Sequence, residues 1–489
     1  MTTAPLRSSL QEACETWPDR PAVTAAGTTI TYADVGRRVA RLAAAYRDMR
    51  IRPGDRILCQ LPNSIEHVVA LNAAWAVGAI HVGTDNDLTG PELGWLAGHT
   101  EAAALVFRPR ADSPAALDSV PAATRVLRDA DLTGSDAALD DWAPPHGPDD
   151  TAHLLLTSGT TGRPKAVMET RPACWAKMQF FADALHPGTD DVLLLYLPMA
   201  HVFGLRLAML TLLCGGRLLL TERFSPRGAL DLIGAERVTV LPGTPAHFTL
   251  LLGELDPSRD RPDSLRWAVA AASGLPRPLV EQIYARLAPR LLYVYGCSEN
   301  FTVQTTDHDE ILRGSVGRWV FRGPEGTPPD GRIAILAAGG TDPRPQGTVG
   351  EIAFGAARPV RYWKAPDAAT DGWYRTGDLG RIDADGRVYL LGRLKELVNR
   401  GGLHVSPVEV ETAMAQHPAV VDCAVVGTPD PVLGEAVCAC VVPAEAPAPD
   451  LRQLRDFLAP TLARHKLPDE LCVVGAIPRT KIGKVDRHA

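Results

Sequence analysis

From about Tyr32 to Tyr295, apolar positions recur alternately at helical and at extended spacing. Tyr32–Met49 and Glu66–Val77 space their apolar residues as half-buried helices do, whereas Arg56–Leu61 and Val192–Tyr196 are short β-rich runs. Alternation of this kind predicts an α/β architecture with largely parallel sheets. The stretch Arg108–Asp150, rich in Ala, Pro and Asp and weak in periodicity, reads as a surface connection leading into the apolar run His153–Thr157. The most apolar stretch, Val192–Leu213, is interrupted by Pro198, His201 and Arg206, so it reads as buried core and not as a membrane span.

Beyond Tyr295 the pattern shifts to short strands between Gly and Pro turns, as in Arg332–Leu336 and Gly350–Phe354, which predicts a small β subdomain. A separate small α/β domain is expected from near Gly392. Its first helix has a start signal: Ser406 as N-cap, Pro407 at the first helical position and Glu409 three residues after the cap. Strand-like Val420–Gly427 and Ala436–Val442 follow, then an amphipathic helix through Leu451, Leu454, Phe457 and Leu458. The expected division is a large N-terminal domain over 1–393 and a mobile C-terminal domain over 394–489, with a hinge near Lys395.

A chain of 489 residues is long for one hydrophobic core, which agrees with this division. Its net charge of -7 offers no general attraction to nucleic acid, so an anionic ligand must be held by local groups. The nine cysteines have no paired spacing, and Cys438 and Cys440 lack a histidine partner for a zinc knuckle. With no signal-type apolar segment in MTTAPLRSSLQEACETWPDR, a cytoplasmic location is expected.

The strongest local signal is LLLTSGTTGRPKAV, Leu154 to Val167, an apolar strand that runs into a Ser/Thr/Gly loop closed by Lys165. Glycines let successive N–H groups turn toward one anion, hydroxyls add donors and the lysine adds charge, so the loop suits a polyphosphate. It is not a Walker loop, because Gly159, Gly162 and Lys165 are out of register with that spacing and Ala166 follows the lysine. Four further segments follow in order: LPMAHVFGL (Leu197–Leu205), YGCSE (Tyr295–Glu299), YRTGDLG (Tyr374–Gly380) with GRLKELVNRGG (Gly392–Gly402), and PRTKIGKVDR (Pro478–Arg487).

Together these segments resemble the adenylate-forming superfamily of acyl-CoA synthetases, peptide-synthetase adenylation domains and firefly luciferases, over nearly the whole chain. The resemblance implies that Thr157, Ser158, Gly159, Thr160, Thr161, Gly162 and Lys165 embrace the β- and γ-phosphates of ATP. It implies that Tyr295 stacks on adenine within the nucleotide-binding run Gly296, Cys297 and Ser298, with Glu299 and Thr160 toward Mg²⁺. Asp378 would accept both ribose hydroxyls and Arg393 would contact ribose and phosphate, with Ser273 and Gly274 also at the nucleotide. Lys484 would bridge the substrate carboxylate and the α-phosphate and offset their repulsion in the first step.

By the same resemblance, Lys395 is the hinge about which the C-terminal domain rotates. One face then presents Lys484 and the other presents Gly401 and Gly402 to a pantetheine arm, where glycines allow close passage of the backbone. His201 resembles the gate residue beside the acyl site, which Val202, Phe203, Ala271 and Ala272 would line. Valine at 202 has no carboxylate for an α-amine, so an amine-free acid is expected. Ala270–Gly274 stands where the family often has Ser-Gly-Gly-Ala-Pro, and the added methyls are expected to narrow the pocket. Arg206 is expected to form a salt bridge elsewhere or to meet a second polar group on the substrate.

The expected activity is an acid–thiol ligase that uses ATP and Mg²⁺, with coenzyme A as acceptor. The alternative acceptor is the phosphopantetheine of a separate carrier protein. A non-catalytic nucleotide or acyl binder is the reading from another class, against which Lys165, Glu299, Asp378, Arg393 and Lys484 stand together.

Overall fold

The computed structural model describes residues 6–109, 117–132, 150–157, 164–256, 261–299, 301–319, 332–337, 339–355, 360–365, 372–444, 447–480 and 485–487. Three sheets organise them, with thirteen, seven and five strands. In the largest sheet, Val192–Leu195 lies between Arg217–Leu220 on one side and Val240–Gly243 on the other, all parallel. Trp267–Ala270 and Leu291–Gly296 extend the parallel run beyond Val240–Gly243. Strands covered on both faces read as continuous apolar runs, and Leu193, Leu194 and Leu195 are accordingly at most 1% exposed.

The helix Tyr32–Asp48 starts where the sequence places it, held by a capping box between Thr31 and Asp34. The stretch expected as core divides into the strand Val192–Leu195 and the helix Val202–Leu213, whose residues are nearly all buried. The antiparallel strands after Tyr295 hydrogen-bond onto the Leu291–Gly296 edge of the parallel sheet and prolong it through Phe301–Thr305, Ser315–Trp319, Arg387–Arg393, Trp373–Ile382, Gly350–Gly355 and Arg332–Leu336.

The seven-stranded sheet carries Thr151–Thr157 antiparallel to Lys165–Thr170. Its far edge corrects one expectation. Within the stretch read as a surface connection, Arg125–Arg128 pairs in parallel with Ala102–Phe107, because Leu127 is buried and supplies an apolar anchor that a weak periodicity conceals.

The C-terminal residues build their own core, in which Val410 and Met414 of the helix Pro407–Met414 and Leu454 and Leu458 of Leu451–Leu458 pack on Val425, Val437 and Val441. Ser406 caps the first of these helices as its sequence predicts, and its hydroxyl also donates to the carbonyl of Leu391. No helix among the described residues is long and apolar enough to cross a membrane.

Candidate active site

Strand order reverses between Val192–Leu195 and Val240–Gly243: the chain leaves the first strand toward Arg217–Leu220 and the second toward Trp267–Ala270. Connections that depart in opposite directions open a crevice at the carboxyl ends of the strands, where ligands of open α/β sheets bind. Just beyond those ends, the rings of Tyr196, Phe224 and His247 lie 4.6 to 5.0 Å apart. Gly243 leaves room for them, since a Cβ there would come 3.0 Å from the Tyr196 hydroxyl. Burial, aided by the charge of Arg479, lowers the His247 pKa to about 4, so the cluster is neutral.

His201 is the N-cap of Val202–Leu213, and its Nε2 stands 3.2 Å from Asp85 Oδ1. Val202 is buried, and Phe203 stacks on Phe181 with centroids 6.4 Å apart. The two alanines differ: Ala271 is buried, whereas Ala272 is exposed and takes φ +80°, in the left-handed region. The Ser273 carbonyl accepts from the Tyr293 hydroxyl at 3.2 Å, and Gly274 faces Val408 of the C-terminal part.

A second group of side chains collects where the parallel sheet meets its antiparallel extension. Asp378 and Arg393 are register partners on adjacent antiparallel strands. The Asp378 carboxylate accepts from the Tyr295 hydroxyl at 2.7 Å and from Arg393 Nε at 2.8 Å. Burial, with Asp378 beside it, pushes the Tyr295 hydroxyl well above its ordinary pKa, so it stays a donor. Glu299 Oε1 accepts from the Tyr362 hydroxyl at 2.8 Å, and Lys165 Nζ lies 5.3 Å above the Tyr362 ring. Tyr374 joins the same group, its pKa raised by burial, with Cys297, Glu299 and Tyr362 adding to the shift. Thus Lys165, Tyr295, Gly296, Cys297, Ser298, Glu299, Asp378 and Arg393 fall in one region.

Of the phosphate-loop residues, Thr157 and Lys165 pair across the ends of their strands, while Ser158, Gly159, Thr160, Thr161 and Gly162 lie outside the described residues. Lys484 lies outside them as well. On either side of it, Arg479 bridges antiparallel to Val485, and Asp486 N donates to the carbonyl of Pro478 at 2.9 Å. Arg479 is ion-paired with Asp422, and its charge adds to the lowering of the His247 pKa. Lys395 is exposed within the 3-10 turn Leu394–Glu396, and Arg487 Nε holds Glu396 at 3.0 Å. Gly401 and Gly402 stand apart from both groups, at the tip of the hairpin Val398–Arg400 and Leu403–Val405, with positive φ of 60° and 83°.

Motif reading missed Tyr362, Asp85 and Lys177; Tyr362 and Asp85 sit in segments without distinctive spacing, and Lys177 resembles any polar helix residue. Arg206 forms the salt bridge that was one of its two readings: it is fully buried and paired with Glu169. His153, Glu169 and Cys174 lie close enough together to suggest a metal site. Arg206 already places its guanidinium on Glu169 and 3.0 Å from Cys174 Sγ, so a cation fills that position. The Glu299 carboxylate, by contrast, is a hard oxygen ligand of the kind Mg²⁺ takes, beside the lysine strand, and the hydroxyl–carboxylate–guanidinium group at Asp378 fits a ribose.

Residues 10–359 match the AMP-binding enzyme model, and residues 409–484 match the AMP-binding enzyme C-terminal domain. The chain is 33% identical to a feruloyl-CoA synthase of Amycolatopsis sp over 96% of its length and 94% of that protein. It is 32% identical to the salicyl-AMP ligase / salicyl-S-ArCP synthetase of Mycobacterium tuberculosis, covering 99% and 90% of the two chains. Among solved structures, it resembles the o-succinylbenzoate coenzyme A synthetase of Bacillus subtilis in complex with ATP and a magnesium ion. There the TM-score is 0.80 and the identity 25%, over 98% of each chain.

Proposed function

The chain belongs to the AMP-binding enzyme family, and from that premise we propose that it joins an amine-free aryl or aliphatic acid to a pantetheine thiol through an acyl-adenylate. The acid's carboxylate oxygen attacks the α-phosphorus of ATP and pyrophosphate leaves; the thiol, losing its proton, then attacks the acyl carbon and AMP leaves. Tyr295, Asp378 and Arg393 hold the nucleoside end, while Lys165 and Glu299 serve the polyphosphate, where bound Mg²⁺ would neutralise charge. Lys484 serves the carboxylate, with His201, Val202, Phe203 and Ala271 on the acyl side. The division at Lys395, with Gly401 and Gly402 turned to the thiol in the second step, belongs to the same reading.

The observation that carries it is the Asp378 carboxylate held between the Tyr295 hydroxyl and the Arg393 guanidinium, an acceptor suited to a ribose. The neutral cluster of Tyr196, Phe224 and His247, with apolar Val202, favours an uncharged ring or chain over an ammonium, whose unpaired burial costs several kcal/mol. Coenzyme A is the first acceptor and a carrier-protein phosphopantetheine the alternative; the salicyl-AMP ligase relative has a name that points to the latter. Nine free cysteines suit a reducing cytoplasm. The test is pyrophosphate exchange over a panel of aryl, fatty and α-amino acids, repeated as thioester formation with free coenzyme A. Aryl or aliphatic acids should give the highest kcat/KM; an α-amino acid in first place would overturn the substrate class.

A further inference from the structure

Beneath the candidate nucleotide region lies a buried charge cluster that the proposed reaction does not use. Lys177, on the helix Arg171–Leu185, is 6% exposed, and its Nζ stands 2.9 Å from Glu169 Oε1 and 3.0 Å from the Ser298 carbonyl. Glu169 sits on the strand that begins at Lys165 and also receives Arg206 from the helix Val202–Leu213. Two cations thus share one buried carboxylate. Replacing such a cluster by apolar side chains is often neutral or stabilising, so stability alone does not account for it. Burial lowers the Lys177 pKa to about 8, and Cys297 and Glu299 are among the groups that act against that shift, so the ammonium lies near the loop after Leu291–Gly296.

We propose that Lys177 is a positioning residue for Glu299. By donating to the Ser298 carbonyl while anchored on Glu169, it ties the loop that carries Glu299 to the strand that begins at Lys165. The two groups that face the polyphosphate and its metal are thereby held in one fixed relation. Arg206 pairs with the other oxygen of Glu169 and has no bond to Ser298, so the tie to the Glu299 loop runs through Lys177. The proposal rests on the reading of Glu299 as the Mg²⁺ ligand.

Lys177→Met should raise the Mg²⁺ concentration for half-maximal pyrophosphate exchange about tenfold, the effect of losing one charge-assisted hydrogen bond, with the KM for the acid unchanged. Binding provides a readout apart from turnover: affinity for ATP with Mg²⁺ should fall about tenfold, and affinity for ATP in EDTA should hold. Arg206→Met removes charge from the same cluster without touching Ser298, so it should lower Tm and leave the Mg²⁺ requirement alone. Equal Mg²⁺ effects from Lys177→Met and Arg206→Met, or none from Lys177→Met, would overturn the proposal. Lys177→Gln, which keeps a donor, should show a smaller rise; it carries the test should the Met variant not fold, and no rise there overturns the proposal too. Glu299→Gln separates the premise: an unaltered Mg²⁺ requirement in that variant refutes the metal-ligand reading itself.

Discussion

Asp378 illustrates what a single side chain gains from its place. Its sequence motif marks it, yet only the pairing of its strand with Arg387–Arg393 brings Arg393 to one oxygen and sets Tyr295 on the other. Asp378→Ala should lose charge-assisted bonds to the ribose worth about 1.5–3 kcal/mol and raise the KM for ATP about tenfold or more, measured by pyrophosphate exchange. Unchanged ATP kinetics would remove Asp378 from the site. At Ala272 the backbone matters more than the methyl. A φ of +80° is strained for alanine, so Ala272→Gly should stabilise the fold by about 0.5–1 kcal/mol after the extra freedom glycine has when unfolded. Chemical denaturation reads this directly, and a lower midpoint would count against the strain. Because Ala272 is exposed and Ala271 buried, Ala271→Gly is the variant expected to alter the ranking of acids.

Among elements, Arg487 links the turn Leu394–Glu396 to the helix Pro407–Met414 through Glu396 and Glu411, and it bonds the carbonyl of Val425. That link gives the two halves of the proposed reaction separable sensitivities. Lys484→Ala should abolish acyl-AMP formation and leave pre-formed acyl-AMP convertible to thioester. Lys395→Pro, which fixes φ and removes a backbone donor at the turn, should do the reverse. Stopped-flow assays of each half-reaction distinguish them; equal losses in both halves from either variant would dissolve the assignment. The start signal Ser406-Pro407 with Glu409 is legible in the sequence, since capping is decided by three or four neighbouring residues. The strand Arg125–Arg128 is not, because one buried Leu127 among arginines carries no period.

At the scale of the whole fold, four buried histidines among the described residues set a dependence on acid. Burial lowers the pKa of His67 and of His247 to about 4 and holds His81 and His153 well below their ordinary range. The unfolded chain takes up protons near the usual value of 6.5, while the folded chain cannot until far lower pH. The unfolded state therefore binds more protons in that window, and stability falls as pH drops from about 6.5 toward about 4. Urea midpoints should decline across that window and decline less in His67→Asn; parallel profiles for the two proteins would refute the contribution of His67. The sequence by itself determined the α/β alternation, the separate C-terminal core and the motifs that contain Lys165, Glu299, Asp378, Arg393 and Lys484, because periodicity, caps and compact motifs are local. Only the tertiary structure decided which of these meet. The reversal of strand order beside Val192–Leu195 and the buried contact of Lys177 with Ser298 join residues distant in the chain, and the pairing of Asp378 with Arg393 is set by the register of two adjacent strands. Such contacts depend on sheet register and on the burial of charge, which no stretch of neighbouring residues can specify.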